Sequence, residues 1–186
     1  MSSSSSLRWT AELERQLLFV LTSTWHTFNN DLFGGGLTLP VLVLEETTSR
    51  LGHWRRRDRT IGLSLPLIRT KPWPMVRAVL KHEMAHQYVD EVLGVLDSEP
   101  AHGPAFARVC ADLQIDARAS GFPDDDAADA EVEVDDATER VMRRVQKLFA
   151  LAESDNANEA EAATKAAQRL MLEHNIADLE RRRQRR

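Results

Sequence analysis

The chain has 186 residues, of which 42% are hydrophobic and 28% are charged, and its formal net charge is −5. This composition is typical of a globular chain in water, and no apolar run approaches the roughly 20 residues that span a bilayer. The single cysteine, Cys110, excludes an internal disulfide framework and a multi-cysteine zinc ribbon. The polar start MSSSSS lacks the basic and apolar order of a signal peptide, so we expect a cytoplasmic protein without membrane contact.

The net charge hides regions of different composition. Residues 1–122 carry 13 basic and 13 acidic side chains, residues 123–139 carry nine acidic and no basic ones, and residues 140–186 carry 11 basic and seven acidic ones. Such a change of charge along the chain indicates separate regions. We predict a disordered tail over 1–9, a domain over 10–122, an acidic linker over 123–138, a helical hairpin over 139–178 and a basic tail over 179–186.

The first domain begins with one long helix. Thr10 is a suitable N-cap, apolar residues recur at helical spacing, and a run of three glycines ends the helix. Three short apolar segments then predict strands over 41–46, 49–55 and 59–65, the last two forming a hairpin with a basic turn. Pro66 either ends the third strand or keeps it at a sheet edge.

Helical patterns follow the strands. Pro74 suits the first turn of a helix whose apolar stripe continues as far as Gly94, a fitting C-terminal stop. A shorter helix runs from Pro104 to about Ile115. We therefore expect an α+β domain with a long N-terminal helix, a small three-stranded sheet, a helix that carries HEMAH, and a further helix.

The region 139–178 predicts two antiparallel helices. Each carries one apolar stripe, and the stripes consist of Val141, Val145, Leu148 and Leu151 and of Ala163, Ala166, Leu170 and Met171. Asn158 with Glu161 is a candidate capping box at the start of the second helix. A hairpin of this size has little core of its own, so we expect it to pack on another element.

The segment HEMAH, residues 82–86, lies near the middle of a predicted helix. Residues four apart share one helical face, so His82 and His86 can bind one zinc ion. Glu83 can then reach a water on the metal without being a ligand itself. The metal lowers the pKa of that water toward 7, and the carboxylate takes its proton. The alternative is a solvated helical face with a chance match to the pattern.

A catalytic zinc ion needs a third protein ligand. One arrangement, with a glycine and a third histidine shortly after the motif, is excluded because those positions are Val89 and Val92. The favoured third ligand is His102, which lies in a loop just before the following helix. Glu99 and Asp112 are chemically possible alternatives.

Four motifs in this order resemble the SprT-like zinc metalloproteases, the SprT/Spartan family: FNNDLFGGGLTLP, LGHWRRRDRTIGLSLPLI, VLKHEMAHQYV and HGPAFAR. The resemblance covers about residues 10–120. It implies a zincin-like fold, His82, His86 and His102 as ligands of Zn²⁺, and Glu83 as the catalytic base of an endopeptidase. It also implies protein substrates near DNA, single-stranded or damaged, and a role in DNA–protein crosslink repair.

Two departures from the family pattern are visible. Ala101 stands where the family usually has a glycine before the third histidine, and neither a cysteine ribbon nor a separate DNA-binding zinc module occurs within these residues. The segment VQKLFALAESDNANEAEAATKAAQRLMLEHNI resembles domain-of-unknown-function family 2786 over about residues 139–178. That resemblance implies no known chemistry, but it supports a bacterial or phage-type origin.

The tip of the predicted β-hairpin, HWRRRDR, is strongly basic. Its candidate nucleic-acid contacts are Trp54, Arg55, Arg56, Arg57 and Arg59. Arginines can contact phosphates and the indole can stack on a base, whereas the alternative is an ordinary solvated turn.

Three functional hypotheses remain at this point. The favoured one is a zinc endopeptidase, and its rival is a zinc-stabilised module that binds DNA or protein without turnover. Both need the three histidines, but only the enzyme needs Glu83. A third hypothesis makes the C-terminal hairpin the working part and the zinc domain its scaffold.

Overall fold

The computed structural model describes residues 11–95, 99–119 and 137–184. Its elements are α1 (Ala11–Leu32), β1 (Val41–Glu45), β2 (Gly52–Arg55), a 3₁₀ turn (Arg56–Asp58), β3 (Thr60–Ser64), α2 (Leu65–Thr70), α3 (Trp73–Tyr88), a π-helical segment (Val89–Leu93), α4 (Pro104–Asp112), α5 (Ala137–Ala152) and α6 (Ala157–Gln184). The predicted α+β fold class is confirmed. The predicted tail 1–9 and all but the last two residues of the predicted linker lie outside the described residues. No helix in the described part of the chain is long and apolar enough to cross a membrane.

The chain forms two compact units. Residues 21–132 form one unit, which we call the sheet unit, and residues 1–20 with 133–186 form the other, the hairpin unit. Helix α1 is shared, because its first ten described residues, 11–20, belong to the hairpin unit and its remaining residues to the sheet unit.

The sheet has three strands in the order β1-β3-β2. β1 runs parallel to β3, with Val41 opposite Thr60, and β2 runs antiparallel to β3, with Arg55 also opposite Thr60. All five residues of β3 are buried, as the central position of a short apolar strand requires. The strands are shorter than predicted, and β2 begins only at Gly52.

Pro66 does not lie at a sheet edge, because β3 is central and ends at Ser64. The residues after it form the short helix α2, which was not predicted. Pro66 occupies its first turn, where the missing backbone N–H is not needed, and the Ser64 hydroxyl accepts a hydrogen bond from the Leu67 N–H at 3.3 Å. The proline therefore starts a helix here.

Helix α3 packs against β2 and β3 and carries the HEMAH segment on its buried side. Apolar side chains fix its position: Val76, Leu80 and Met84 are fully buried. A buried hydrogen bond adds to this packing, because the Trp25 indole N–H donates to Gln87 Oε1 at 3.2 Å. The helix continues into the π-helical segment and ends at Gly94, whose φ of 65° is left-handed, as the glycine stop predicted.

The hairpin unit has a core built from α5, α6 and the start of α1. The buried side chains are Leu13 and Leu17 of α1, Met142, Val145, Phe149 and Ala152 of α5, and Ala163, Ala167 and Met171 of α6. The predicted stripes are therefore only partly right. Leu151 is 49% exposed, since Phe149 and Ala152 occupy the inward positions at that end of α5.

The start of α6 also differs from the prediction. Asn156 is the cap, because its Oδ1 accepts hydrogen bonds from the N–H groups of Asn158 and Glu159 at 3.1 and 3.4 Å. Asn158 itself lies in the first turn. The helix continues through Gln184, so most of the predicted basic tail is helical.

Candidate metal centre

Three histidines converge at one end of the buried face of α3. His82 and His86 lie one turn apart on that helix, and His102 comes from the loop before α4. Their Nε2 atoms form a nearly equilateral triangle: the separations are 3.2 Å for His82–His86, 3.1 Å for His86–His102 and 3.3 Å for His82–His102. Among the described residues this is the group of side chains that could hold a metal ion.

The triangle fits a zinc ion. Nitrogen ligands at about 2.0–2.1 Å from a tetrahedral zinc ion lie about 3.3 Å from one another, close to the separations observed. His82 Nδ1 lies 3.2 Å from the Asp116 carbonyl oxygen, so that nitrogen donates its proton and Nε2 keeps its lone pair for a metal. Burial, together with the neighbouring His82 and His102, lowers the pKa of His86 to about 3, and burial also lowers the pKa of His82. Neutral imidazoles are the form that binds zinc.

Helix α4 supports the triangle through Phe106. The Phe106 ring stacks on His86, with centroids 4.1 Å apart and an interplanar angle of 17°, and it contacts His82 and His102 edge-on at 5.0 Å. Only 2% of Phe106 is exposed. One aromatic ring therefore limits the rotation of all three imidazoles, a role that helical periodicity cannot predict, because it depends on contacts between α3, α4 and the loop before α4.

The loop before α4 explains why the alternative ligand Glu99 is not in the triangle. Glu99 Oε2 accepts a hydrogen bond from the Ala105 N–H at 2.9 Å and so caps α4. A Cβ on Gly103 would lie 2.8 Å from the Pro100 carbonyl oxygen, so this tight loop requires glycine. The other alternative, Asp112, is an exposed residue at the end of α4.

Glu83 is 2% exposed and lies against β2 rather than in the triangle. A Cβ on Gly52 would be 2.9 Å from Glu83 Oε1, so glycine at this position leaves the space that the carboxyl group occupies. Burial raises the pKa of Glu83 to about 8, and a hydrogen bond from the Trp54 backbone and the charge of Arg50 partly oppose this shift. Oε1 has no hydrogen-bond partner among the described residues. The carboxyl group is thus positioned by β2, with one oxygen left available.

The predicted nucleic-acid contacts at the β-hairpin tip are mostly engaged with acidic residues. The Trp54 indole N–H donates to Asp90 Oδ2 at 3.0 Å, and Arg56 Nε lies 3.1 Å from Asp90 Oδ1. Arg59 pairs with Glu91 at 2.7 Å. The remaining tip arginines differ from each other: Arg55 pairs with Asp58 at 2.7 Å, whereas Arg57 has no partner among the described residues.

Trp54 therefore belongs to the support of the metal centre. Its backbone holds Glu83 while its indole is bound to Asp90, which lies in the π-helical segment directly after α3. Sequence analysis missed this use of Asp90, because nothing in its spacing connects it to Trp54. Cys110 is buried, and burial raises the pKa of its thiol to about 11, which keeps the thiol protonated at neutral pH.

Comparisons with known proteins agree with both predicted resemblances. A model of the SprT-like family matches residues 21–127, and the model of a protein family of unknown function, DUF2786, matches residues 140–178. No curated protein and no solved structure matches the chain. The SprT-like match covers more than half of the sequence and contains all three histidines of the triangle. The chain therefore belongs to the SprT-like family.

Proposed function

We propose that this protein is a zinc-dependent endopeptidase whose metal is held by His82, His86 and His102. The observation that carries the proposal is the position of Glu83. This glutamate is next to a ligand in sequence, is buried, is held by β2 and is not part of the triangle. A purely structural zinc site would use four protein ligands and would not need a buried carboxyl group beside them.

Each residue of the site has a distinct task in this reaction. When bound, Zn²⁺ supplies a Lewis acid that lowers the pKa of water toward 7 and polarises a peptide carbonyl. Glu83 takes the proton of the attacking water and delivers it to the leaving amine. The Asp116 carbonyl fixes the tautomer of His82, and Phe106 fixes the ring planes. Held by His82, His86 and His102, the metal would also supply positive charge where the oxyanion develops.

The substrates that we propose are proteins, including proteins bound to DNA. Family membership and the motif resemblance support this choice. The β-hairpin tip gives it less support, because three of its four arginines are already paired with carboxylates. Arg57 at the tip stays available for a phosphate contact.

The test compares zinc-loaded wild type with Glu83→Gln. Cleavage of a basic protein substrate and of the chain itself would be followed with and without single-stranded DNA, and bound zinc would be measured in the same samples. We expect Glu83→Gln to keep its zinc and to lose cleavage by about 10²-fold or more. Glu46→Gln, which changes an exposed glutamate of the same unit, is the matched control and should cleave like wild type.

The rival function gives a different result. A zinc-stabilised binding module would hold zinc stoichiometrically, and neither wild type nor variant would cleave under any condition. His102→Ala tests zinc binding separately from cleavage, because it removes one proposed metal ligand and leaves Glu83 in place. Loss of zinc in His102→Ala, measured by metal analysis, supports the triangle as the metal site even if no cleavage is found.

A further inference from the structure

The α5–α6 hairpin carries a groove on its surface that has no assigned role. The groove has a volume of about 400 Å³, and half-buried aliphatic side chains line it: Leu148, Ala166 and Leu170. Exposed cationic side chains stand around them: Arg144 and Lys147 on α5 and Arg169 on α6. An apolar floor with cations at its rim fits a ligand that has flat apolar groups and regularly spaced negative charges.

The cations of the groove are largely available. Within the described residues, Arg144 and Lys147 have no carboxylate partner. Arg169 has only Glu173, the one acidic side chain that lines the groove, and the nearest N–O distance of that pair is 3.6 Å. The β-hairpin tip is the opposite case, because most of its arginines form close ion pairs.

The rest of α5 extends the positive surface. Between residues 140 and 152 this helix has four basic residues and no acidic one, although one of the four, Arg143, pairs with Glu139 in the first turn. Arg144 and Lys147 are three residues apart, so their Cβ atoms are separated by about 5–6 Å and the two side chains lie on one face of α5. The positive charges at the rim of the groove therefore suit a ligand that carries several negative charges in a row.

We propose that the α5–α6 groove binds single-stranded nucleic acid, with phosphates at Arg144, Lys147 and Arg169 and unstacked bases on the aliphatic floor. A single strand is favoured over a duplex because paired bases are stacked inside the helix and cannot reach such a floor. It is favoured over an acidic peptide because the surface between the cations is aliphatic, which suits the bases of a single strand better than a further row of carboxylates. This binding does not depend on the proposed peptidase activity.

The test measures binding of a fluorescent oligo(dT) of about 15 nucleotides to the full chain by anisotropy. The groove variant is the triple substitution Arg144→Gln, Lys147→Gln, Arg169→Gln. The control variant removes the same number of charges from ion pairs of the same unit, with Arg15→Gln, Arg143→Gln and Lys165→Gln. Both variants have the same net charge, so general electrostatic attraction is equal in the two.

We expect wild type to lose about 20-fold in affinity between 50 and 200 mM salt, since three contacts to a single strand give a slope of about −2 in log K against log salt. The groove variant should bind about tenfold more weakly than the control variant at low salt and should show a shallower slope. An oligo(rU) of equal length should bind similarly, because no group in the groove is assigned to the 2′-hydroxyl.

Three results would overturn the proposal. Equal weakening in both triple variants would mean that only net charge matters. Tighter binding of a duplex than of oligo(dT) would exclude the aliphatic floor as a base contact. Displacement of oligo(dT) by poly-glutamate at equal charge concentration would identify an acidic protein segment as the occupant instead.

Discussion

The metal centre of the sheet unit and the groove of the hairpin unit use polar side chains in opposite ways. In the metal centre, His82, Glu83 and Trp54 are at least half-buried, and each is held by a second group. In the groove, Arg144 and Lys147 are exposed and held by nothing in the described residues. Bond cleavage needs groups that are already in place, whereas contact with a flexible polyanion needs charges that can adapt.

This difference has a consequence for substitutions. In the sheet unit, a small change beside a functional group should have a large effect on the proposed cleavage or on stability, because the group has little freedom to adjust. In the hairpin unit, the loss of one surface charge should change the affinity for a polyanion only slightly. Several charges must be removed together before the change in affinity is large. The predictions below test this contrast in order of decreasing effect.

The largest effect is expected for Gly52→Ala. The added Cβ would lie 2.8 Å from Val79 Cγ1 and 2.9 Å from Glu83 Oε1, so the Glu83 carboxyl group, which we propose as the catalytic base, must move. A displacement of about 1 Å costs about 10²-fold in rate, and we expect a loss of this size in kcat with zinc content unchanged. Peptide cleavage and metal analysis on the same preparation provide the measurement.

Two further variants separate this displacement from general damage. Gly36→Ala introduces a Cβ that is 3.3 Å from the Phe33 carbonyl oxygen of the same unit and has no contact with the histidines or Glu83, and it should keep its activity. Gly52→Ala with Val79→Ala removes the contact with Val79 and keeps the contact with Glu83. If the double variant recovers full activity, Val79 packing and not the position of Glu83 is the cause.

A smaller effect is expected for Asp90→Ala. The side chain of Asp90 is 6% exposed and accepts from both the Trp54 indole and Arg56, so alanine removes the acceptor of the part-buried Trp54 N–H and one ion-pair partner of Arg56. We expect the free energy of unfolding to fall by about 1–3 kcal/mol and kcat to fall more than KM rises. Denaturant titration and steady-state cleavage measure the two effects. Asp58→Ala removes an exposed tip carboxylate and serves as the control, which should change neither quantity clearly.

Sequence analysis predicted the parts of the molecule that depend on local pattern. Helical spacing located α3, the HEMAH segment placed His82 and His86 on one face, and Gly94 ended the helix as expected. That His102 binds a metal ion stays a prediction. Its Nε2 atom does lie at the third corner of the triangle.

The features that sequence analysis missed depend on contacts between distant segments. The Trp54–Asp90 hydrogen bond joins residues 36 positions apart, and neither residue belongs to a motif that indicates the other. The space at Gly52 is visible only when the neighbouring helix is in place. In α5, periodicity predicted an apolar stripe but not its register, because Leu148 and Phe149 are both apolar and only packing decides which is buried.

A buried polar contact of the hairpin unit gives the next prediction. Asn175 is 4% exposed, and its Nδ2 donates to Gln16 Oε1 at 2.6 Å and to the Gln16 carbonyl oxygen at 3.2 Å. Asn175→Ala should lower the free energy of unfolding by about 1 kcal/mol, measured by denaturant titration. The loss should be the same with and without zinc. Ile176→Ala, at a neighbouring exposed position, should change stability by less than about 0.5 kcal/mol.

The smallest effect concerns His53, which lies on β2 with both ring nitrogens buried and without hydrogen bonds among the described residues. Burial lowers the pKa of His53 below its ordinary value of 6.5, and the nearby charges act in both directions: Glu45 and Asp58 raise the pKa, whereas Arg50 and Arg55 lower it. The folded chain therefore binds a proton here less readily than the unfolded chain. Stability is complete above pH 6.5 and decreases as the pH falls toward the lowered pKa.

His53→Phe should remove this contribution. The phenyl ring can occupy the place of the imidazole over Gly62, where a Cβ would be 2.1 Å from His53 Cε1, so the packing is kept while the titration is lost. Melting temperatures of zinc-loaded wild type and variant at about pH 7.5 and about pH 5.5 are the measurement. The decrease between the two pH values should be smaller in His53→Phe. An equal decrease in both proteins would show that the buried imidazole makes no pH-dependent contribution to folding.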